Sequence, residues 1–204
     1  MYIPEIYKNN NQQEVENFIS DNGFGIVVSQ NNSKISATHV PLILKENNAG
    51  QKILEGHVSK SNPQGQNFTT NESVLAIFSG PNAYISSSWY DHENVPSYNY
   101  IAVHVYGKIK ILNYDETVKS LKTLVDKYEQ NVTNPIRVEN LSKKTMLEAR
   151  GIIGFQIEIT SIEATKKLSQ NRDEKNYNAI VAELEKTSKI TDQLLANEMK
   201  KCPF

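Results

Sequence analysis

The run from Ile101 to Leu112 constrains the fold more than any other stretch of this chain. Ile101, Val103, Val105, Ile109 and Ile111 share one parity, while His104, Tyr106, Lys108 and Lys110 take the other. Successive side chains of a strand point to opposite faces, so this run predicts a strand with one buried and one wetter face. Gly107 interrupts the apolar series and predicts a bulge or bend. Shorter strand signals lie at Phe24–Ser29, Lys34–Leu44, Ile53–Ser59, Val74–Phe78 and Ile153–Ile159, with Lys45–Lys52 as a hairpin loop. Helical spacing replaces alternation at Glu14–Ser20, stopped by Asp21-Asn22-Gly23, and at Asp115–Gln130, where Val118, Leu121, Val125 and Tyr128 line one side. Met146–Ala149 predicts a short helix. From Glu174 onward, Tyr177, Ile180, Val181 and Leu184, then Ile190, Leu194 and Leu195, predict one or two amphipathic helices. Six strands, mostly in hairpin order and with interspersed helices, predict a mainly β fold with helices (α+β), a closed or partly closed antiparallel barrel. The sheet pattern ends near Glu163–Arg172, the expected seam.

Composition narrows the class. With 204 residues and 38% hydrophobic residues the chain can bury a substantial core. A formal net charge of -1 argues against a large nucleic-acid footprint, although it says nothing about how charge is distributed. The single Cys202 has no intrachain partner, which fits a reducing compartment. No apolar run approaches the ~18 residues of a membrane span, and the opening MYIPEIYKNN lacks an apolar signal core, so the expected location is cytoplasmic and no membrane partner is expected.

Ser79–Tyr100 gathers Tyr84, Trp89, Tyr90, Tyr98 and Tyr100 among small and polar residues, including the only tryptophan. So aromatic a stretch covers something: the hydrophobic core, or a flat ligand. Composition alone favours the core cap. Four histidines, His39, His57, His92 and His104, show no zinc spacing, and there is no paired cysteine. Nucleophile-elbow, phosphate-loop and dinucleotide-turn motifs are absent. Two polar clusters stand out. Gly56-His57-Val58-Ser59-Lys60-Ser61-Asn62-Pro63 places a cation, hydroxyls and an amide at a strand end. Lys166-Lys167-Leu168-Ser169-Gln170-Asn171-Arg172 holds three cations, a hydroxyl and two amides. Either set is equipped for a phosphate or a polar ring edge, and either also reads as an ordinary solvated segment.

On these residues the chain resembles the PaiB family of FMN-binding regulators. The matching blocks are Met1-Tyr2-Ile3-Pro4, His39-Val40-Pro41-Leu42, Gly56-His57-Val58 with Asn62-Pro63, Phe78-Ser79-Gly80-Pro81, Ala83-Tyr84-Ile85-Ser86 with Ser88-Trp89-Tyr90, Val95-Pro96 with Asn99-Tyr100, and Lys167 to Arg172. Their joint order is more specific than any one block. Asn82, Ser87, Ser97-Tyr98 and Gly65 depart from the family pattern. The resemblance implies a split-barrel flavin-binding fold over residues 1–165, usually a homodimer with FMN at the subunit interface. Residues 166–204 would form a C-terminal basic segment and helices packing on the barrel or on the partner. It also implies a transcriptional regulator that represses protease-synthesis and sporulation genes.

Under that resemblance the cofactor is FMN, and the ordered companion motifs favour a flavin wall over a core cap. Tyr84, Trp89 or Tyr98 would give the flat wall, and Asn62 and Asn99 the donors to the polar ring edge. Lys60, Ser61, Lys167 and Arg172 are candidates for the phosphate. Ser86, Gln170 and Asn171 complete the expected cofactor set, with His57 the first choice for a proton donor. No catalytic residue or metal ligand is expected. Three other readings stand beside this one: a split-barrel oxidoreductase using NAD(P)H, a repressor contacting DNA directly, and a barrel that has lost its ligand.

Overall fold

The computed structural model describes residues 1–202, so the last two residues of the expected segment 166–204 lie outside the described residues. Among those described, helix α1 (Gln12–Asp21) leads into strands β1 (Phe24–Asn31), β2 (Lys34–Pro41), β3 (Ile43–Glu46) and β4 (Lys52–Ser59). The short α2 (Pro63–Gln66) precedes β5 (Ser73–Ile85) and β6 (Ser97–Ile111). Next come α3 (Tyr114–Glu129), α4 (Lys143–Met146), a 3-10 turn (Leu147–Gly151), β7 (Ile152–Lys167), α5 (Glu174–Lys186) and α6 (Ile190–Lys200). One sheet runs in the order β2-β1-β5-β6-β7-β4-β3.

The sheet has seven strands, not the expected six. Lys34–Leu44 is not one strand. The Leu42 N–H still donates to the Gly23 carbonyl at 2.7 Å, one step beyond the Phe24↔Pro41 pair, and there the pairing with β1 ends. The chain before the break pairs with β1 and the chain after it with β4. Strand β6 runs through Gly107 from Ser97 to Ile111. A Cβ at Gly107 would lie 2.4 Å from the Glu158 carbonyl oxygen, so glycine is there to let two backbones approach.

Two compact units divide the chain, and β5, β6 and β7 contribute segments to both. The larger holds Ile19–Phe78 and His104–Ile162. In it β1 and β2 form a hairpin from Phe24↔Pro41 to Asn31↔Lys34. The β3–β4 hairpin follows, and β4 continues along β7 from Ile53↔Glu158 to Ser59↔Ile152. Within this unit β2 also packs against β4, the curl of a partly closed barrel. Helix α3 opens on an Asn113–Glu116 capping box and seats on β7, where a Cβ at Gly154 would fall 2.3 Å from the Thr117 hydroxyl.

The smaller unit holds Met1–Phe18, Ser79–Val103 and Glu163–Phe204. Ala83, Ile85, Tyr90, Ile101 and Leu168 bury against Tyr177, Ile180, Leu184, Leu195, Ala196 and Met199 of α5 and α6, with Phe18 at the margin. The predicted helical periodicity after Glu174 is therefore met by this unit's own strands. The N-terminal segment is tied in by a Lys8↔Thr165 bridge and by the Met1 ammonium on Glu163.

Candidate functional site

In the larger unit the end of β4 builds a polar turn. Asn62 caps α2, its side-chain oxygen accepting from the Gln64 N–H at 2.8 Å, with Pro63 at the first helical position. The Asn62 amide donates to the Thr38 hydroxyl at 3.0 Å, and Thr38 donates to the Gln64 side-chain oxygen at 2.5 Å. Buried Gln64 completes the ring with donors to the Val27 carbonyl and the Ser29 hydroxyl, both at 3.0 Å, and to the Ser36 carbonyl at 3.2 Å. Every polar atom of this network has a partner, so it is a rigid floor. Above it lies an open groove of about 520 Å³ lined by Thr38, His39, His57, Ser59, Asn62, Glu148 and Gly151, among others. Burial pushes the His57 imidazole below its ordinary value and favours the neutral ring. Lys60 and Ser61 are exposed beside the groove, and the Lys60 N–H donates to the Gly151 carbonyl at 2.8 Å.

In the smaller unit, strand alternation sorts the aromatic stretch. Ala83, Ile85 and Asn99 point inward, while Tyr84 and Tyr98 point outward, 50% and 55% exposed, their rings 6.0 Å apart in an edge contact. Tyr90 is buried and Trp89 packs against the same core. Tyr90 and Trp89 cap the core, as one reading of this stretch expects, while Tyr84 and Tyr98 present their rings to solvent. Ser86 caps the 3-10 turn Ser87–Trp89, accepting from the Ser88 N–H at 3.2 Å.

The loop beyond Trp89 is fastened to α5. Asp91 accepts from Lys175 at 2.8 Å, from the Asn176 amide at 3.0 Å and pairs with His92 at 2.9 Å. Lys175 first, then His92 and Asn176, hold its carboxyl well below the usual carboxylate range. This fastening sets Tyr90 under the Arg172 guanidinium, 5.1 Å from ring centroid to Cζ.

The turn Lys167–Arg172 closes the arrangement. Ser169 takes a positive φ of 61°, and the Arg172 N–H donates back to its carbonyl at 3.0 Å. Fully buried Asn99 exchanges hydrogen bonds with the Ser169 hydroxyl at 2.9 and 3.1 Å. Gln170 spends its amide on the Leu168 N–H and on the Lys166 and Ile6 carbonyls. Lys166 is engaged by Glu14 and by the Cys202 thiol. Lys167 is different. Its ammonium donates to the Ser97 hydroxyl at 2.6 Å and lies 5.9 Å from the Tyr7 ring, with no carboxylate partner among the described residues. Arg172 likewise has only the Tyr90 ring, and Asn171 is exposed.

The structure thus gathers Tyr84, Ser86, Trp89, Asn99, Lys167, Gln170, Asn171 and Arg172 in one unit and His57, Lys60, Ser61 and Asn62 in the other. Asn62, Ser86, Asn99 and Gln170, expected in the cofactor set, have polar groups hydrogen-bonded to neighbouring backbone and side-chain groups. Ser97, Tyr7, Gln64, Thr38 and Glu148 were missed. The Asn62-Pro63 pair carried a signal for Gln64, because asparagine followed by proline is a helix start and puts Gln64 in its first turn. Nothing local announced Thr38 or Glu148.

Residues 1–161 match the family model described as "Putative FMN-binding domain". The chain is 41% identical to protease synthase and sporulation protein PAI 2 of Bacillus subtilis, over 98% of this chain and 99% of that one. An uncharacterized protein of Emericella nidulans is 23% identical over 97% and 95% of the two chains. Among solved structures, the FAD and heme binding protein from Mycobacterium smegmatis aligns with a TM-score of 0.62 at 12% identity, covering 85% of this chain and 79% of that one. The flavocytochrome Anf3 from Azotobacter vinelandii aligns at 0.58 and 13% identity, covering 87% and 78%. At such identities these two establish the fold alone, the split barrel with flanking helices.

Proposed function

From the premise that this chain belongs to the PaiB family of FMN-binding proteins, we propose that it is an FMN-binding transcriptional regulator, repressing protease-synthesis and sporulation genes as a homodimer in the cytoplasm. The observation that carries this reading is the end-to-end likeness to protease synthase and sporulation protein PAI 2, which takes in both polar turns and the aromatic loop.

The residues present fit the cofactor. Lys167 and Arg172 are cations without carboxylate partners, each held in place by a hydroxyl or a ring, which suits a phosphate dianion. Exposed Tyr84 and Tyr98 suit the face of a planar ring. Lys60, Ser61 and Asn171 are further donors with exposed side chains, and neutral His57 is a donor or an acceptor according to tautomer. Asn62 fixes the turn that carries Lys60 and Ser61 in the larger unit, and Ser86, Asn99, Gln170 and Trp89 fix the turns that carry Tyr84, Lys167 and Arg172 in the smaller one. When bound, FMN supplies electron-transfer chemistry. The chain's own residues bind it, orient it and keep its phosphate neutralised.

Exposed Tyr2, Ile6, Tyr84, Val95 and Tyr98 of the smaller unit supply apolar surface for a second subunit. Among the described residues no helix is long and apolar enough to cross a membrane.

The test is direct. Purified full-length protein is expected to be yellow, to release FMN on denaturation and to run at twice the chain mass in light scattering. A colourless protein that takes up no added FMN would reject the reading. An oxidoreductase is the second reading, favoured by the likeness in fold to a flavocytochrome. Steady NAD(P)H consumption by the FMN-loaded protein would select it over the regulator. A gel shift across salt concentrations, with and without FMN, separates direct DNA contact from action through another protein.

A further inference from the structure

A net charge of -1 conceals how the larger unit uses its cations. Several are neutralised by carboxylates: Lys45 by Glu55, Lys52 by Glu46, Lys110 by Glu116, Lys122 and Arg137 by Asp126. Lys143, Lys144 and Arg150 are exposed and have no ion-pair partner among the described residues. Other unpaired lysines of this unit, such as Lys34 and Lys119, stand singly.

These three lie on one helical run. Helix α4 passes into the 3-10 turn without a break, since Met146 (φ -65, ψ -15) and Leu147 (φ -64, ψ -27) both keep helical dihedrals. At ~100° per α residue and ~120° per 3-10 residue, Lys144 sits ~100° and Arg150 ~60° around the axis from Lys143. Glu148 falls ~180° away on the same reckoning, and it is found lining the groove. The cations therefore share one face, with exposed Leu147 among them, and the one carboxylate of the run points elsewhere. From Lys143 to Arg150 the axial rise is ~12 Å. The 2.8 Å bond from Lys60 N–H to the Gly151 carbonyl fastens the far end of the run to β4.

We propose that the face formed by Lys143, Lys144 and Arg150 is the docking surface for the phosphate backbone of duplex DNA, an inference that rests on the regulator reading above. Duplex DNA carries one phosphate per ~3.4 Å of axis on each strand, so a ~12 Å run lies along about three to four phosphates, with Lys143 and Lys144 at one end and Arg150 at the other. Leu147 meets sugar between them. Such contacts position the protein without reading sequence. They also need no recognition helix.

The test uses full-length, FMN-loaded protein and fluorescence anisotropy with a mixed-sequence duplex of about 30 base pairs, from about 50 to about 200 mM salt. The variant K143Q/K144Q/R150Q should bind about tenfold or more weakly at the lowest salt, with a salt slope shallower by about 2.7. K119Q, removing an exposed unpaired lysine of α3, should leave both nearly unchanged. FMN released from the same preparations should be equal across all three proteins. Undetectable or salt-insensitive duplex binding by the unsubstituted protein overturns the proposal, and so does a triple variant with unaltered affinity and slope. Equal competition by polyglutamate also overturns it, in favour of an acidic protein partner. Loss of FMN alone would count against the flavin reading and leave this surface standing.

Discussion

The turn after β4 and the turn after β7 look alike as strings, each mixing lysine, serine and amide side chains, yet they divide the work differently. In the first, Asn62 and Gln64 knit β1, β2 and α2 into a closed network, and Lys60 and Ser61 are left exposed at the edge of an open groove. In the second, Asn99 and Gln170 fix a left-handed turn at Ser169, and Lys167 and Arg172 are left braced on Ser97 and Tyr90. In both, the amides build and the cations remain available. The difference lies in bracing. Lys60 is unsupported, whereas Lys167 and Arg172 are preorganised, which lowers the ordering cost of gripping an anion.

The largest effect expected from this contrast is on FMN. Replacing Lys167 and Arg172 together by alanine removes two charge-assisted bonds of about 1.5–3 kcal/mol each, so FMN affinity should fall by about 100-fold or more. The melting temperature of the apo form should barely move. Unaltered affinity in a fluorescence titration would hand the phosphate to the first turn.

Asn99→Ala should do the reverse. It strands the buried Ser169 hydroxyl, at a cost of about 1–3 kcal/mol, and a chain of this size loses about 2–4 °C of melting temperature per kcal/mol. A thermal melt without change, accompanied by lost FMN binding, would make Asn99 a ligand donor after all.

Asn62→Ala removes a helix cap worth about 1 kcal/mol and releases Thr38. Urea unfolding should show that smaller loss, while FMN affinity changes only through the altered groove floor.

The smallest effect is a pH dependence. Because burial depresses the His57 pKa, the unfolded chain takes a proton more readily than the folded one. Stability from the neutral ring is present above the ordinary histidine value and is lost as pH falls below it. Denaturant midpoints between about pH 7 and pH 5 should therefore fall less in His57→Gln than in the unsubstituted protein. An identical fall would remove His57 as a source.

Much of the fold was legible because period is a local property. The alternation of Ile101–Leu112 and the helical spacing after Glu174 survive into β6, α5 and α6. The division of Lys34–Leu44 was not, since it depends on one part pairing with β1 and the next with β4. The candidate residues were legible as chemical types, but their division of labour was not. Nothing within Gln170's own neighbourhood says that its amide will be used up on the Leu168 N–H and the Ile6 and Lys166 carbonyls. Nor does Lys167 show in sequence that Ser97, seventy residues earlier, will brace it.

The sequence by itself determined the strand and helix periods, the family and the stock of cations, hydroxyls and rings from which a flavin site could be made. Tertiary structure alone decided which of them remain available. A hydrogen bond or an ion pair satisfies a group only when the fold brings its partner within about 3 Å, and partners such as Ser97 for Lys167 and Ser169 for Asn99 lie seventy residues away.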